Sequence, residues 1–137
     1  MTILFCNVII VEKYVNFLFV TEVSYLNKYM FGRAGEDFAS AYLTAKGHRI
    51  IERNYRTKVG ELDIVSVKDD RVYFSEVKTR SGDRFGTPAE SITPKKLQHI
   101  RNAAEVYISR NKDKICFGNM DFVVNVIEVL VRMQEVD

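Results

Sequence analysis

The 137-residue sequence predicts a small mixed α/β (α+β) domain, and three patterns point to it. A helix is predicted from about residue 32 to residue 46 by four apolar side chains that share one helical face: Phe38, Ala41, Tyr42 and Ala45. A second helix is predicted to start at Thr93-Pro94 and to end near Arg110, because Thr is a good N-cap and Pro suits the first helical position. Stretches rich in β-branched residues predict strands around these helices.

Four such stretches are expected to form the sheet. They cover residues 48–56, 60–67 and 72–79 before the second helix, and residues 122–130 after it. The last stretch is dense in Val and Ile, which predicts an interior strand. The order α-β-β-β-α-β therefore favours a mixed central sheet flanked by helices.

Composition bounds the class of protein. Apolar residues make up 47% and charged residues 28% of the chain, which is ordinary for a soluble globular domain. A formal charge of +2 permits an acidic partner such as nucleic acid without requiring one. Cys6 and Cys116 are far apart and form no CxxC pair, so we expect neither a zinc site nor a disulfide, but reduced thiols in a cytoplasmic protein.

Residues 1–26 form an atypical apolar N-terminal extension to the domain predicted at residues 27–131. The mostly apolar run at residues 3–11 is too short to span a bilayer, and Glu12 and Lys13 end it. It also lacks the basic start and the cleavage site of a secretory signal, so no membrane association is expected. Two interpretations stay open: an extra strand or hairpin, or a stretch that is not part of the native protein.

The segment around Asp69-Asp70 carries the candidate chemistry. A hairpin that is symmetric about these two residues places Asp63 opposite Glu76, and Glu61 opposite Lys78. All four side chains then lie on one face of the sheet. A one-residue bulge would break this register.

Two carboxylates a few ångströms apart stay ionised together only with a cation between them. Mg²⁺ or Mn²⁺ prefers oxygen ligands, which Asp63, Glu76 and the backbone carbonyl of Val77 could supply. Lys78 could then reach the attacking water or a phosphate. The alternative interpretation is structural, since Glu61 and Lys78 could form a plain cross-strand ion pair on a solvated face.

The motifs Gly60-Glu61-Leu62-Asp63 and Glu76-Val77-Lys78-Thr79-Arg80 resemble those of the PD-(D/E)xK (restriction-endonuclease-like) nuclease superfamily. With Gly35-Glu36, Arg53-Asn54-Tyr55-Arg56 and Phe85-Gly86-Thr87-Pro88, the chain is similar to the YraN-like family of proposed bacterial endonucleases. The resemblance implies a restriction-endonuclease-like core with Asp63 and Glu76 as metal ligands and Lys78 as catalytic lysine. Glu36 matches the helical glutamate that assists the metal in Holliday junction resolvases. Leu62 stands where the superfamily has proline.

The expected function is therefore a Mg²⁺-dependent endonuclease that hydrolyses phosphodiester bonds in DNA, including branched or single-stranded forms. The alternative is a non-catalytic nucleic-acid-binding or protein-interaction module with the same fold. The similarity to resolvases also implies a homodimer. The candidate contacts to nucleic acid are six cationic side chains: Arg53, Arg56, Arg80, Arg84, Lys95 and Lys96.

Overall fold

The computed structural model describes residues 3–16, 28–81 and 93–134, and the side chains of residues 32–80 and 93–130. In chain order the elements are β1 (Ile3–Asn16), α1 (Lys28–Ala45), β2 (Arg49–Arg56), β3 (Glu61–Lys68), β4 (Arg71–Ser81), α2 (Pro94–Arg110) and β5 (Asp121–Gln134). The predicted order α-β-β-β-α-β is confirmed, with β1 added in front of it. The extra-strand interpretation therefore agrees with the structure for residues 3–16, and residues 17–27 lie outside the described ranges.

The strands form one mixed sheet in the order β1-β5-β4-β3-β2. The strands β2, β3 and β4 pair antiparallel in succession. The strand β5 runs parallel to β4 on one side and to β1 on the other, so it is interior as predicted. The parallel step from β4 to β5 uses α2 as its crossover, which is the usual way to join parallel neighbours.

The helices begin and end for local reasons. The helix α2 starts as predicted, because the Thr93 side chain accepts a hydrogen bond from the Lys96 N–H and Pro94 takes the first helical position. The helix α1 begins at Lys28, about four residues before the predicted start. It ends before Gly47, whose φ of +92° is a backbone conformation that glycine adopts without strain.

The two helices cover opposite faces of the sheet, because successive strand residues point to opposite sides. The helix α2 packs on one face through Ile100, Ala104 and Tyr107, against Phe74 of β4 and Val124 of β5. On the other face α1 packs through two buried side chains, Ala39 and Leu43, against three from the sheet: Ile64, Ile127 and Val129. Both helices therefore approach the middle of the sheet, where β3 and β4 carry the predicted site.

Among the helices that the structure describes, none is long and apolar enough to cross a membrane.

Candidate active site

The hairpin of β3 and β4 has the predicted register close to its turn. The pairs run from Lys68 with Arg71 to Ile64 with Ser75, as symmetry about Asp69-Asp70 requires. Asp69 takes a φ of +53°, a conformation typical of short hairpin turns. The pairing of the two strands ends at Ile64–Ser75, so neither predicted pair, Asp63 with Glu76 or Glu61 with Lys78, belongs to the ladder.

Asp63 lies where the two strands part. In a continued antiparallel ladder, the next hydrogen-bonded pair would join Leu62 to Val77. Instead, the Val77 N–H donates to the Asp63 carboxylate at 2.8 Å, so a side chain replaces a backbone acceptor. A residue in a strand turns its N–H and its C=O towards the same neighbour. The carbonyl of Val77 therefore faces the same gap as the Asp63 side chain.

A cleft of about 370 Å³ opens at this gap. It collects side chains from both helices and three strands, and joins four carboxylates to three cations. Its lining is Gly32, Arg33, Glu36, Asn54, Arg56, Glu61, Asp63, Glu76, Val77 and Lys96. The structure thus brings together the three residues that the sequence proposed as metal ligands, Asp63, Glu76 and Val77, with Glu36, which lies 27 positions before Asp63 in the chain.

Asp63 is the most perturbed of these carboxyl groups. It is 8% exposed, and Glu76, at 7%, is equally buried. Burial first, and the neighbouring charge of Glu76 second, raise the pKa of Asp63 from its usual value to about 8, although the Val77 N–H partly offsets them. Two buried carboxyl groups in mutual electrostatic contact are costly without a cation, which is the setting that sequence reasoning anticipated.

Glu36 of α1 reaches the same cleft. Burial raises the pKa of Glu36, against the hydrogen bond from Asn54 and the charges of Arg53 and Arg33, which lower it. Its Oε2 atom is buried and has no hydrogen-bond partner among the described residues. A buried oxygen without a donor is a position at which a cation or a water would be stabilising.

Glu76 has a cationic partner from the other helix. The Lys96 ammonium lies 3.1 Å from Glu76 Oε1, and its side chain is 40% exposed against 8% for the glutamate. Lys96 belongs to the first turn of α2, where a positive charge opposes the helix dipole. The ion pair therefore offsets an unfavourable position of the lysine and a buried charge on the glutamate at the same time.

Lys78 and Arg80 lie further along β4, on the face that also carries Glu76. Lys78 is beside Glu128 of β5 in the sheet register and is not part of the cleft lining. The Arg80 Nε atom is 3.2 Å from Oε1 of the buried Glu128. Lys78 therefore lies two residues beyond Glu76 on the same face of β4, next to the cleft lining that contains Asp63 and Glu76.

The other predicted cations occupy different positions. Arg56 pairs with Glu61 at 3.5 Å on the rim of the cleft, and Arg53 pairs with Asp37 of α1 at 2.8 Å. Both belong to β2, which is an edge strand of the described sheet. Lys95 is exposed at the start of α2. Arg84 lies outside the described residues.

Within the side chains that the structure describes, no three His, Cys, Asp or Glu residues are gathered closely enough to hold a metal ion by themselves. Asp63 and Glu76 nevertheless suit a hard cation. Mg²⁺ is ordinarily held by one or two carboxylates and completes its shell with waters and other oxygens. The buried carboxylates of Asp63 and Glu76, and the Val77 carbonyl that faces the same gap, are oxygens of this kind.

Sequence reasoning assigned no role to Asn54, which it named only within the Arg53-Asn54-Tyr55-Arg56 motif, and none to Arg33. Asn54 lies between the pairs Arg53–Ile64 and Tyr55–Leu62, so it is opposite Asp63. Its φ of +53° is uncommon for a residue in a strand, and asparagine tolerates it better than most residues. The motif itself, and the low β-propensity of an Asn inside a strand-like stretch, were the available signals for this position. Nothing in the sequence placed Arg33 of α1 on the cleft.

The family of the chain is shown by comparison with known proteins. Residues 35–129 match the uncharacterised protein family UPF0102. The chain belongs to this family. A UPF0102 protein of Caldicellulosiruptor saccharolyticus is 40% identical over 98 residues, which cover 72% of this chain and 83% of the relative. A second, from Alkaliphilus oremlandii, is 38% identical over 106 residues, covering 77% and 91%. A third, from Syntrophomonas wolfei, is 49% identical over 77 residues, covering 56% and 67%.

The UPF0102 match contains every described residue of the cleft except Gly32 and Arg33, which lie just before residue 35. It extends into β5 and excludes β1. The family therefore covers the core from the middle of α1 to β5, and β1 is an addition of this chain to the matched part.

Proposed function

We propose that this UPF0102 protein is a metal-dependent endonuclease of the PD-(D/E)xK superfamily, hydrolysing phosphodiester bonds in DNA. The observation that carries the proposal is the junction of β3 and β4. Asp63 and Glu76 are buried on adjacent strands that stop pairing beside them, and both line one cleft. A fold that only required stability would avoid two buried carboxyl groups in electrostatic contact.

Asp63 and Glu76 are the side chains that would hold Mg²⁺ or Mn²⁺, with the Val77 carbonyl as a further oxygen ligand. When bound, such an ion supplies an activated water and neutralises charge on a phosphate. The charge of the cleft fits this chemistry. Its four carboxylates and three cations give a formal charge of −1, which a divalent cation changes to +1, a sign suited to a phosphate.

The remaining residues of the cleft have separate roles in this proposal. The Val77 N–H fixes one oxygen of Asp63, so that the carboxylate is oriented before any ligand arrives. Glu36, oriented by Asn54, offers its unpaired oxygen to a water in the cleft. The side chains of Arg56 and Lys96 lie at the rim of the cleft and are partly exposed. They can therefore exchange their carboxylate partners for a phosphate.

The role proposed for Lys78 rests on its motif position. Lys78 corresponds to the catalytic lysine of the superfamily, and its charge would stabilise a phosphate in the transition state. It shares a sheet face with Glu76 but does not line the cleft. We propose that the substrate extends along this face of β4 from Glu76 towards Lys78, so that one phosphate group contacts both the cleft and the lysine.

Phosphate and shape recognition suits this surface better than base readout, since its polar groups are cations and carboxylates beside a sheet edge. We therefore propose DNA as the partner, with branched, nicked or single-stranded forms as the first substrates to examine. The similarity to resolvases also leads us to propose a homodimer, which light scattering after size-exclusion chromatography tests.

Cleavage of fluorescently labelled DNA tests the activity. Nicked, branched and single-stranded oligonucleotides are incubated with Mg²⁺ and the wild-type protein, Asp63→Asn or Asp113→Asn. We expect cleavage by wild type, a loss of at least about 100-fold in Asp63→Asn, and wild-type rates in Asp113→Asn, which removes an exposed carboxylate outside the cleft. Equal rates in all three proteins would attribute the cleavage to a contaminant.

The second candidate is a non-catalytic nucleic-acid-binding module, which is favoured by the absence of Lys78 from the described lining of the cleft. It predicts DNA binding without cleavage, and equal binding by wild type and Asp63→Asn in the presence of a metal chelator. Electrophoretic mobility shifts of the same oligonucleotides distinguish the two candidates.

A further inference from the structure

Lys96 forms an ion pair with Glu76, the carboxylate that the proposed function assigns to a metal ion. Its ammonium group is 3.1 Å from Glu76 Oε1, inside the cleft that Asp63 also lines. Metal–oxygen distances for Mg²⁺ are about 2.1 Å, so a bound ion and the ammonium would be within a few ångströms of each other. Two cations at that separation repel, and they compete for the same oxygen.

The exposed fractions show which partner can leave. The Glu76 side chain is 8% exposed and belongs to the interior strand β4, so it stays in place. The Lys96 side chain is 40% exposed, and only its backbone is fixed, through the hydrogen bond from its N–H to Thr93. A lysine has several rotatable bonds and can move its ammonium group into solvent without moving the helix.

The start of α2 offers little else to this lysine. Its charge opposes the helix dipole, and Lys95 precedes it with the same charge. No acidic residue stands in the first turn of α2. Among the described residues, Lys96 forms an ion pair with Glu76, and that contact explains why a cation is tolerated at this position.

We infer that Lys96 is a built-in counter-ion of the cleft, which holds Glu76 when the metal is absent and transfers to a substrate phosphate when the metal binds. This inference rests on the proposed function, because it needs a metal at Glu76. It makes metal and nucleic acid bind cooperatively: the metal frees the lysine, and the phosphate then retains it. Without a phosphate, displacement of the lysine lowers the affinity for metal.

The inference is tested by calorimetric titration of Mn²⁺ into the full-length protein without nucleic acid. The variants are Lys96→Gln, which removes the counter-ion, Lys96→Arg, which keeps the charge, and Lys95→Gln, which removes the same charge one residue earlier. We expect Lys96→Gln to bind Mn²⁺ about tenfold more tightly than wild type. Lys96→Arg and Lys95→Gln should stay within about threefold of wild type, and circular dichroism confirms that each variant is folded.

The outcomes separate this inference from the proposed function. Saturable binding with the same affinity in wild type and Lys96→Gln overturns the inference and leaves the metal site standing. Weaker binding by Lys96→Gln also overturns it, because the lysine would then support the site. Binding by Lys96→Gln alone supports it. If neither protein binds Mn²⁺, the proposed function fails and the inference fails with it.

Discussion

The Val77 N–H donates to the Asp63 carboxylate at 2.8 Å, where β3 and β4 stop pairing. This contact orients a buried carboxylate, directs the Val77 carbonyl to the same gap, and opens the cleft beside Glu76. The proposed metal site therefore depends on how the hairpin ends.

The first prediction concerns the stability of the metal-free protein. Burial and Glu76 raise the pKa of Asp63 to about 8 from 3.8, so the folded protein keeps a proton that the unfolded chain releases. The stability that this group contributes is present below about pH 4 and is lost as the pH rises to about 8. Thermal melts in chelator should show that the stability of Asp63→Asn increases relative to wild type as the pH rises through this window. The difference in the free energy of unfolding should reach about 1–3 kcal/mol at the upper end. Parallel curves for the two proteins would contradict a buried, perturbed Asp63.

The second prediction concerns metal affinity and pH. A metal ligand must be deprotonated, so the ion has to displace the proton that Asp63 carries below about pH 8. The affinity for Mn²⁺ should rise roughly tenfold per pH unit below that value and level off above it. Calorimetry in buffers with different ionisation enthalpies counts the protons released, and we expect about one per ion at pH 7. An affinity that does not change with pH would exclude Asp63 as a ligand.

The third prediction concerns Asn54. Asn54 combines a φ of +53° with a hydrogen bond to Glu36. Asn54→Ala loses the bond and strains the backbone, so it should lower the free energy of unfolding by about 2–3 kcal/mol. Asn54→Gly loses the same bond without the strain and should be less destabilising by about 1 kcal/mol. Urea denaturation measures both variants. An equal cost in the two would show that the left-handed conformation is not retained in solution.

The fourth prediction concerns the contact of α1 with β4. A Cβ atom added at Gly35 would lie 1.7 Å from Thr79 Oγ1, which is far inside van der Waals contact. Gly35→Ala should therefore destabilise the protein by about 1–3 kcal/mol. Thr79→Ala removes that oxygen, so the double variant should recover part of the cost. Additive effects of the two substitutions in a double-mutant cycle would argue against this packing.

The elements could be predicted because their signals are local. The N-cap at Thr93 and the symmetric turn at Asp69-Asp70 gave the start of α2 and the register of the hairpin correctly. The end of that register could not be predicted, because it depends on one side chain, Asp63, replacing a backbone acceptor.

The contacts that complete the cleft are non-local. Lys96 meets Glu76 only after the chain has crossed from β4 to α2, and β1 pairs with β5 across most of the sequence. The spacing of residues in the sequence does not indicate which distant residues come into contact in the fold. The metal ligands were proposed from the hairpin pattern and the motifs, whereas the contact of Lys96 with Glu76 is found only in the structure.

The central claim is that Asp63 and Glu76 form a metal site, and titration of Mg²⁺ and Mn²⁺ by calorimetry tests it most directly. The proteins are wild type, the double variant Asp63→Ala/Glu76→Ala, and a matched double variant, Glu105→Ala/Asp113→Ala, which removes two exposed carboxylates outside the cleft. We predict saturable binding by wild type and by the matched control, and none by the Asp63/Glu76 variant. Binding that survives in the Asp63/Glu76 variant, or that is absent from wild type even with DNA present, would contradict the account and favour the non-catalytic module.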